Sequence, residues 1–567
     1  MGFFIAAQLD KASKKNCLVL IPMKLKIALL LALAVCFVLS CQNKKETADT
    51  LLYNATFYTL NDSQPQATAV AIKGGKIIAV GTAEELKEKY TVTNTVDLEG
   101  AYVYPGFIDG HAHFYGLGMF ESRADLTGST SFDELIQRLQ NFATSNTETW
   151  LQGRGWDQNL WEGKKFPTKA KLDELFPDIP VFLKRVDGHA ALANQKALDL
   201  AGITTASVIS GGKIITENGQ LTGVLVDNAA DSVEHIIPQP TDEQVRAYLL
   251  KAQDICLANG LTTVVDCGLE KRYIDIIKKM SDAGELKIRL YVMISAYEPE
   301  LEYYLKNGKI KTPTLNVNSF KVYGDGALGS RGACLLHPYH DDASESGFLL
   351  QTPEKYKSII SRVAKSDFQL NTHCIGDSAN RFMLDSYGEA LGEGNNRRWR
   401  IEHVQIVQQP DDVAKFGKYN ILPSMQPTHA TSDMGWAGER LGNERLKTAY
   451  ALKTLLLQNG KIILGTDFPV EGVSPLATFY TAIERKDANG KPINGFQPEN
   501  ALTRIETLKG MTIWAAYGNL EENEKGSIEV GKYADFTILN KDILTDETLA
   551  EVKILETWIG GVRLFGK

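Results

Sequence analysis

Between residues 100 and 470, short apolar runs that end on polar or charged side chains alternate with longer stretches of helical periodicity. Eight such runs stand at 103–113, 261–267, 288–293, 319–325, 368–373, 400–403, 421–425 and 461–467. Strands that alternate with helices predict a parallel sheet, and eight of them fit a (β/α)8 TIM-type barrel of the α/β class. In such a barrel the functional residues stand at the C-terminal ends of the strands.

The two ends of the chain read differently. Short strands with glycine turns at 51–60, 69–72 and 76–81 are matched by a similar texture at 526–539 and 558–563. This predicts a discontinuous β-sandwich built from 50–103 and 505–567, around a barrel of 104–504. A long Trp- and Gly-rich insertion, 120–240, follows the first barrel strand. Long insertions at this face shape or cover a site. Trp150 and Trp156 therefore have two readings, pocket wall or core of the insertion itself.

The start of the chain lies outside this pattern. Met23-Lys24-Leu25-Lys26 is a short basic stretch, and 27–39 is an apolar run too short for a comfortable membrane span but suited to a signal segment. It ends Val38-Leu39-Ser40-Cys41, which resembles a bacterial lipoprotein signal with Cys41 as the lipidated residue. The expected divisions are a signal over 1–41, with 1–22 an upstream extension, and a polar tether over 42–49. The expected location is the bacterial cell envelope, with the membrane reached through a lipid anchor only, or otherwise secreted or periplasmic if the segment is an ordinary secretory signal.

Composition narrows the partners. The formal net charge is −8, and loss of residues 1–40, with five Lys and one Asp, takes it to −12. No basic surface is advertised for nucleic acid, so the expected partner is a small molecule, with a homodimer left open. Of seven Cys, three lie in or at the end of the signal, and the other four show no paired spacing. No disulfide framework is implied.

The chemistry concentrates in Pro105-Gly106-Phe107-Ile108-Asp109-Gly110-His111-Ala112-His113. Period-two geometry turns His111 and His113 to one face, where two neutral imidazoles suit one divalent metal. Lys321, His373, His403 and Asp467 fall at the C-terminal ends of strands four, five, six and eight. Imidazole and carboxylate ligands suit zinc foremost among the first-row metals.

These segments resemble the amidohydrolase superfamily, and within it the amidohydrolase-3 group. So do Gly155-Trp156-Asp157, Asp187-Gly188-His189, Asp325-Gly326, Gly329-Ser330-Arg331, Glu402-His403 and Gly465-Thr466-Asp467. The resemblance covers nearly the whole mature chain. It implies a one- or two-metal site: His111, His113 and Asp467 on one ion, His373 and His403 on the other. An N-carboxylated Lys321 would bridge them, because an ammonium cannot ligate a metal. The other reading of Lys321 is a salt bridge, with Asp325 as partner.

The implied reaction is hydrolysis of a non-peptide C–N bond in an amide, formamide or N-acyl compound by metal-activated water. Asp467 would act as general base and then general acid. His189 and Arg331 are further catalytic candidates for stabilising an oxyanion. His189 also reads as a brace for the insertion, and Arg331 as the partner of a local carboxylate. The rival readings are a mononuclear deaminase or cyclic amide hydrolase, and a solute-binding lipoprotein without turnover.

Overall fold

The structure is a computed structural model and describes residues 45–146 and 148–566. The expected signal and the lipidation residue Cys41 lie outside the described residues.

The barrel forms as the pattern predicts. Its parallel strands are Phe107–Ala112, Leu261–Leu269, Arg289–Ser295, Leu315–Tyr323, Gln369–Cys374, Arg400–His403, Leu422–Met425 and Ile463–Leu464. Each pairs with its sequence neighbour in one continuous order. Alternation sorts the side chains. On the fifth strand Leu370 and Cys374 face the helices as part of the main apolar core, while Gln369, Asn371 and His373 occupy the other face. A capping box at Thr241 and Gln244 starts the first long outer helix, Asp242–Ala258.

The barrel closes where the first and eighth strands meet. The Asp467 N–H donates to the His111 carbonyl at 2.7 Å, and the His113 N–H donates to the Phe468 carbonyl at 2.8 Å. The buried Asp109 carboxylate accepts from the Thr466 N–H at 3.0 Å and from its hydroxyl at 2.7 Å. Gly110 and Gly465 permit this approach. A Cβ on Gly110 would stand 2.3 Å from Ile463 Cγ2, and one on Gly465 would stand 2.5 Å from the His111 nitrogen. Gly110 thus serves the close packing of two strands.

The termini build one eight-stranded sheet. Strand Glu46–Tyr58 pairs within it with three other strands and has an apolar cluster on each face. Leu51 faces a small cluster around helix Ala83–Lys89, and Leu52 faces the cluster of Val70, Phe536 and Trp558. Three expected boundaries shift. The strand begins at Glu46, inside the expected tether. Tyr102–Pro105 pairs antiparallel with Phe536–Leu539, so residues 104 and 105 belong to the terminal sheet. Residues 505–510 lie in helix Arg504–Gly510, which packs on the barrel side. In each case the apolar pattern ran on across a change of partner.

The insertion carries its own six-stranded sheet with an apolar cluster on each face. Trp156 is in one cluster and Trp150 in the other, so both are core residues of the insertion. The four described cysteines are free, and three of them are buried.

Candidate active site

The C-terminal ends of the strands gather the predicted residues. His111 is fully buried, His373, His403 and Asp467 nearly so, and His113 is partly open. Ligand atoms of His111, His403 and Asp467 lie within 4.8 Å of one another. His113 Nε2 stands 3.2 Å and His111 Nε2 3.6 Å from Asp467 Oδ1. The His373 ring stacks edge-on to His403 with centroids 4.6 Å apart.

The local backbone departs from strand geometry where it matters. His403 and Asp467 both have positive φ, 73° and 63°, although neither is glycine. Such residues persist where the surroundings hold them. At His403 the turn lets consecutive residues serve one site: Glu402 from within the strand, His403 from its last position. Lys321 depends on another irregularity. Val292 pairs with Val317 and Met293 with Ser319, so Asn318 is an extra residue in the fourth strand. A regular strand would place Lys321 on the face of Leu315 and Val317, which belongs to the outer core. The bulge shifts the alternation by one and turns Lys321 inward.

The hydrogen bonds set the tautomers. His111 Nδ1 meets Glu402 Oε2 at 2.6 Å, and His403 Nδ1 meets Gln426 Oε1 at 2.7 Å. An acceptor at Nδ1 fixes the ring proton there and leaves the Nε2 lone pair free. Arg400 Nε donates to Glu402 Oε1 at 2.7 Å and keeps that carboxylate in place. Burial, reinforced by neighbouring positive groups, pushes the pKa values of His111, His373 and His403 well below the ordinary imidazole value. The three rings are therefore neutral at pH 7. Burial also opposes ionisation of Asp467, but His113, His111 and His429 outweigh it and hold the carboxyl well below the usual range.

This donor set fits a divalent metal. His373 Nε2, His429 Nε2 and Asp467 Oδ1 are buried without hydrogen-bond partners, and such atoms are costly unless something binds them. Lys321 is 1% exposed, and its Nζ lies 3.4 Å from His111 Nε2. Among the described residues no carboxylate pairs with it. Asp325 is engaged elsewhere: it accepts the N–H groups of Cys334, Ile375 and Gly376 at 2.8–2.9 Å. The salt-bridge reading of Lys321 therefore fails.

The other two candidates separate. His189 reaches the site from the insertion. Its ring centroid is 4.9 Å from that of His373, and its Nδ1 meets Asp227 Oδ1 at 2.7 Å. Arg331 does not join the histidines. Its Nη2 donates to Asp341 at 2.8 Å, and it lines a separate cleft. The long loop after strand four carries it away from the strand end, so its expected place at the oxyanion is corrected.

Three site residues escaped the sequence reading. Glu402 and Asp227 act behind His111 and His189. His429, on helix Pro427–Asp433, brings Nε2 to 3.6 Å from Asp467 Oδ2. Its only signal was a polar residue soon after a barrel strand.

The family description "Amidohydrolase family" matches residues 94–565. The chain belongs to the amidohydrolase family. It is 32% identical to Protein LONG AFTER FAR-RED 3 of Arabidopsis thaliana, over 91% of this chain and 92% of that protein. It is 26% identical to an N-substituted formamide deformylase of Arthrobacter pascens, over 91% of this chain and 98% of that one. Among solved structures, an uncharacterized metal-dependent hydrolase from Pyrococcus horikoshii OT3 superposes with a TM-score of 0.73. The identity is 29%, over 88% of this chain and 99% of that one. This amidohydrolase is thus a hydrolase whose barrel mouth offers a metal site.

Proposed function

We propose that this amidohydrolase cleaves a non-peptide C–N bond of a small amide, formamide or N-acyl compound. One or two divalent ions, zinc first among them, would be held by His111, His113, His373, His403 and Asp467 with an N-carboxylated Lys321. The observation that carries the reading is Lys321 itself, a buried amine with no carboxylate partner among the described residues, beside imidazoles whose ring protons sit on Nδ1. A buried ammonium without a counter-ion is costly, whereas a carbamate there is a ligand. The formamide deformylase relative supports the choice of bond.

A divalent ion bound at this site would lower the pKa of a coordinated water to roughly 7 and polarise a carbonyl. The protein's residues move the proton. Asp467, ionised and with Oδ1 unbonded, accepts it from the attacking water and delivers it to the departing nitrogen. The carbonyl carbon gains the water oxygen, the C–N bond breaks, and the amine leaves with the proton. His189, anchored on Asp227 through Nδ1, would hydrogen-bond the carbonyl oxygen through Nε2. We further propose anchoring at the bacterial envelope through Cys41. No helix among the described residues is long and apolar enough to cross a membrane.

The test joins metal analysis of the purified protein to a panel of N-substituted formamides and N-acyl amines, with formate and amine as readouts. The expected result is two equivalents of metal per chain, falling when Lys321 is replaced by Ala, with product from at least one substrate class. One equivalent, unmoved by Lys321→Ala, would point to the mononuclear deaminase. A chain that takes up no metal would overturn the reading.

A further inference from the structure

A cleft separate from the histidine site opens elsewhere in the molecule. Of about 550 Å³, it lies between the insertion at residues 158–166, the loop after the fourth strand, and helix Ala437–Leu446. Its volume suits a small molecule. Its walls carry Lys164, Lys165, Arg331 and Arg440 against only two carboxylates, Asp341 and Glu439.

The pairing is incomplete. Lys164 takes Glu439. Arg331 and Arg440 both converge on one oxygen, Asp341 Oδ2. Lys165 is exposed, and among the described residues it makes no side-chain hydrogen bond or ion pair. Two positive charges are left over. Arg440 is 2% exposed, and the Nε atoms of both Arg440 and Arg331 are buried without a partner. Burial and the adjacent Arg331 charge lower the Arg440 pKa, as expected of a guanidinium short of counter-charge.

The backbone is held in unusual form at the same place. Lys164 and Arg331 are non-glycine residues at φ 50° and 60°, and strained residues of this kind cluster where ligands are clamped. We infer that this cleft is a binding site for a small dianion, a dicarboxylate or a phosphate monoester, recognised by the two guanidiniums and the two lysines.

Arginine pairs suit planar, two-oxygen anions, and a net charge of −2 matches the surplus. The cleft also touches the histidine site through the chain. Gln158, in its wall, accepts a hydrogen bond from Arg185 Nε at 2.8 Å. Arg185 pairs with Asp187, which accepts the His189 N–H at 3.0 Å. The anion has two sources, the acidic end of the substrate itself or a separate effector. The site does not depend on the reaction proposed above.

The experiment is titration calorimetry of the purified, metal-loaded protein with succinate, inorganic phosphate and neutral succinamide. Succinate or phosphate should bind one per chain, more weakly as ionic strength rises, and succinamide should not bind. Arg331→Gln and Lys165→Gln should each weaken the anion at least threefold, and together at least tenfold, with unchanged unfolding temperature. Lys165 has no partner to lose, so its variant guards against a folding artefact. Asp467→Asn should leave binding intact. Absence of binding at millimolar anion overturns the proposal. So does binding that survives the double variant but disappears with Asp467→Asn, which places the anion among the histidines. With a substrate in hand, succinate that raises only KM marks the cleft as holding the substrate's acidic end. Succinate that changes kcat at saturating substrate marks an effector. None of these readings requires turnover to establish the site.

Discussion

Two buried ionic groups stand at opposite ends of the barrel, and they differ in what they leave open. At the N-terminal end Arg289 and Asp535 tie the third strand to the terminal sheet. Arg289 Nε and Nη2 donate to the two Asp535 oxygens at 2.7 and 2.9 Å, Nη1 donates to the Pro313 carbonyl at 2.6 Å, and Asp535 also accepts the Gly560 N–H at 2.8 Å. At the C-terminal end, Asp467 Oδ1, His373 Nε2 and His429 Nε2 are equally buried and unbonded. Burial alone therefore does not mark a functional site. The closed group holds parts together, while the open group keeps capacity for a ligand.

The sharpest way to break this comparison is to change each end and read both activity and stability. Asp467→Asn should lower turnover on the order of 10³-fold, within the range for a lost proton-transfer group, with the fold retained by circular dichroism. A variant that kept most of its turnover would remove Asp467 from the chemistry. Arg289→Ala should do the reverse. Leaving Asp535 buried and unpaired should cost about 3–5 kcal/mol, seen in urea unfolding, while turnover per folded molecule stays near the parent value.

A finer test separates the ligands from what supports them. Glu402→Gln keeps an oxygen near His111 Nδ1 but removes the negative charge that also holds Arg400. Metal affinity should fall about 10–100-fold, measured by competition with a chromophoric chelator. An unchanged affinity would show that the His111 ring is positioned by packing alone.

The sequence carried the barrel well, because each strand is a short apolar run closed by a polar residue. Five of the eight strands coincide with the expected segments to within about two residues, and the first begins four residues late, at Phe107. The eighth shrinks to Ile463–Leu464, and the fourth starts earlier, at Leu315. His111, His113, His373, His403 and Asp467 were legible because strand ends are where a barrel displays side chains. What stayed hidden depended on geometry between segments. Lys321 was named, but its inward turn rests on the Asn318 bulge, visible only in the pairing with strand three. Asp227 is 38 residues from His189, and no local pattern joins them. Of the two readings of Arg331, the pairing with a local carboxylate holds, with Asp341 ten residues on as its partner, while the oxyanion reading needed a loop path that the sequence does not display.

The comparison ends at the surface, where the smallest effect is expected. Lys278 and Asp282 form an i,i+4 pair on helix Lys271–Asp282, with Nζ 2.5 Å from the carboxylate and both side chains two-fifths or more exposed. Its pairing distance is as short as that of Arg289 and Asp535, so distance alone would rank the two alike. Water already solvates both partners and salt screens them, so Asp282→Asn should change unfolding by no more than about 0.5 kcal/mol and leave turnover untouched. A loss comparable to that of Arg289→Ala would mean that pairing distance governs these interactions. The expected tenfold smaller effect would assign the difference to desolvation, the same factor that makes the unbonded atoms around Asp467 available to a ligand.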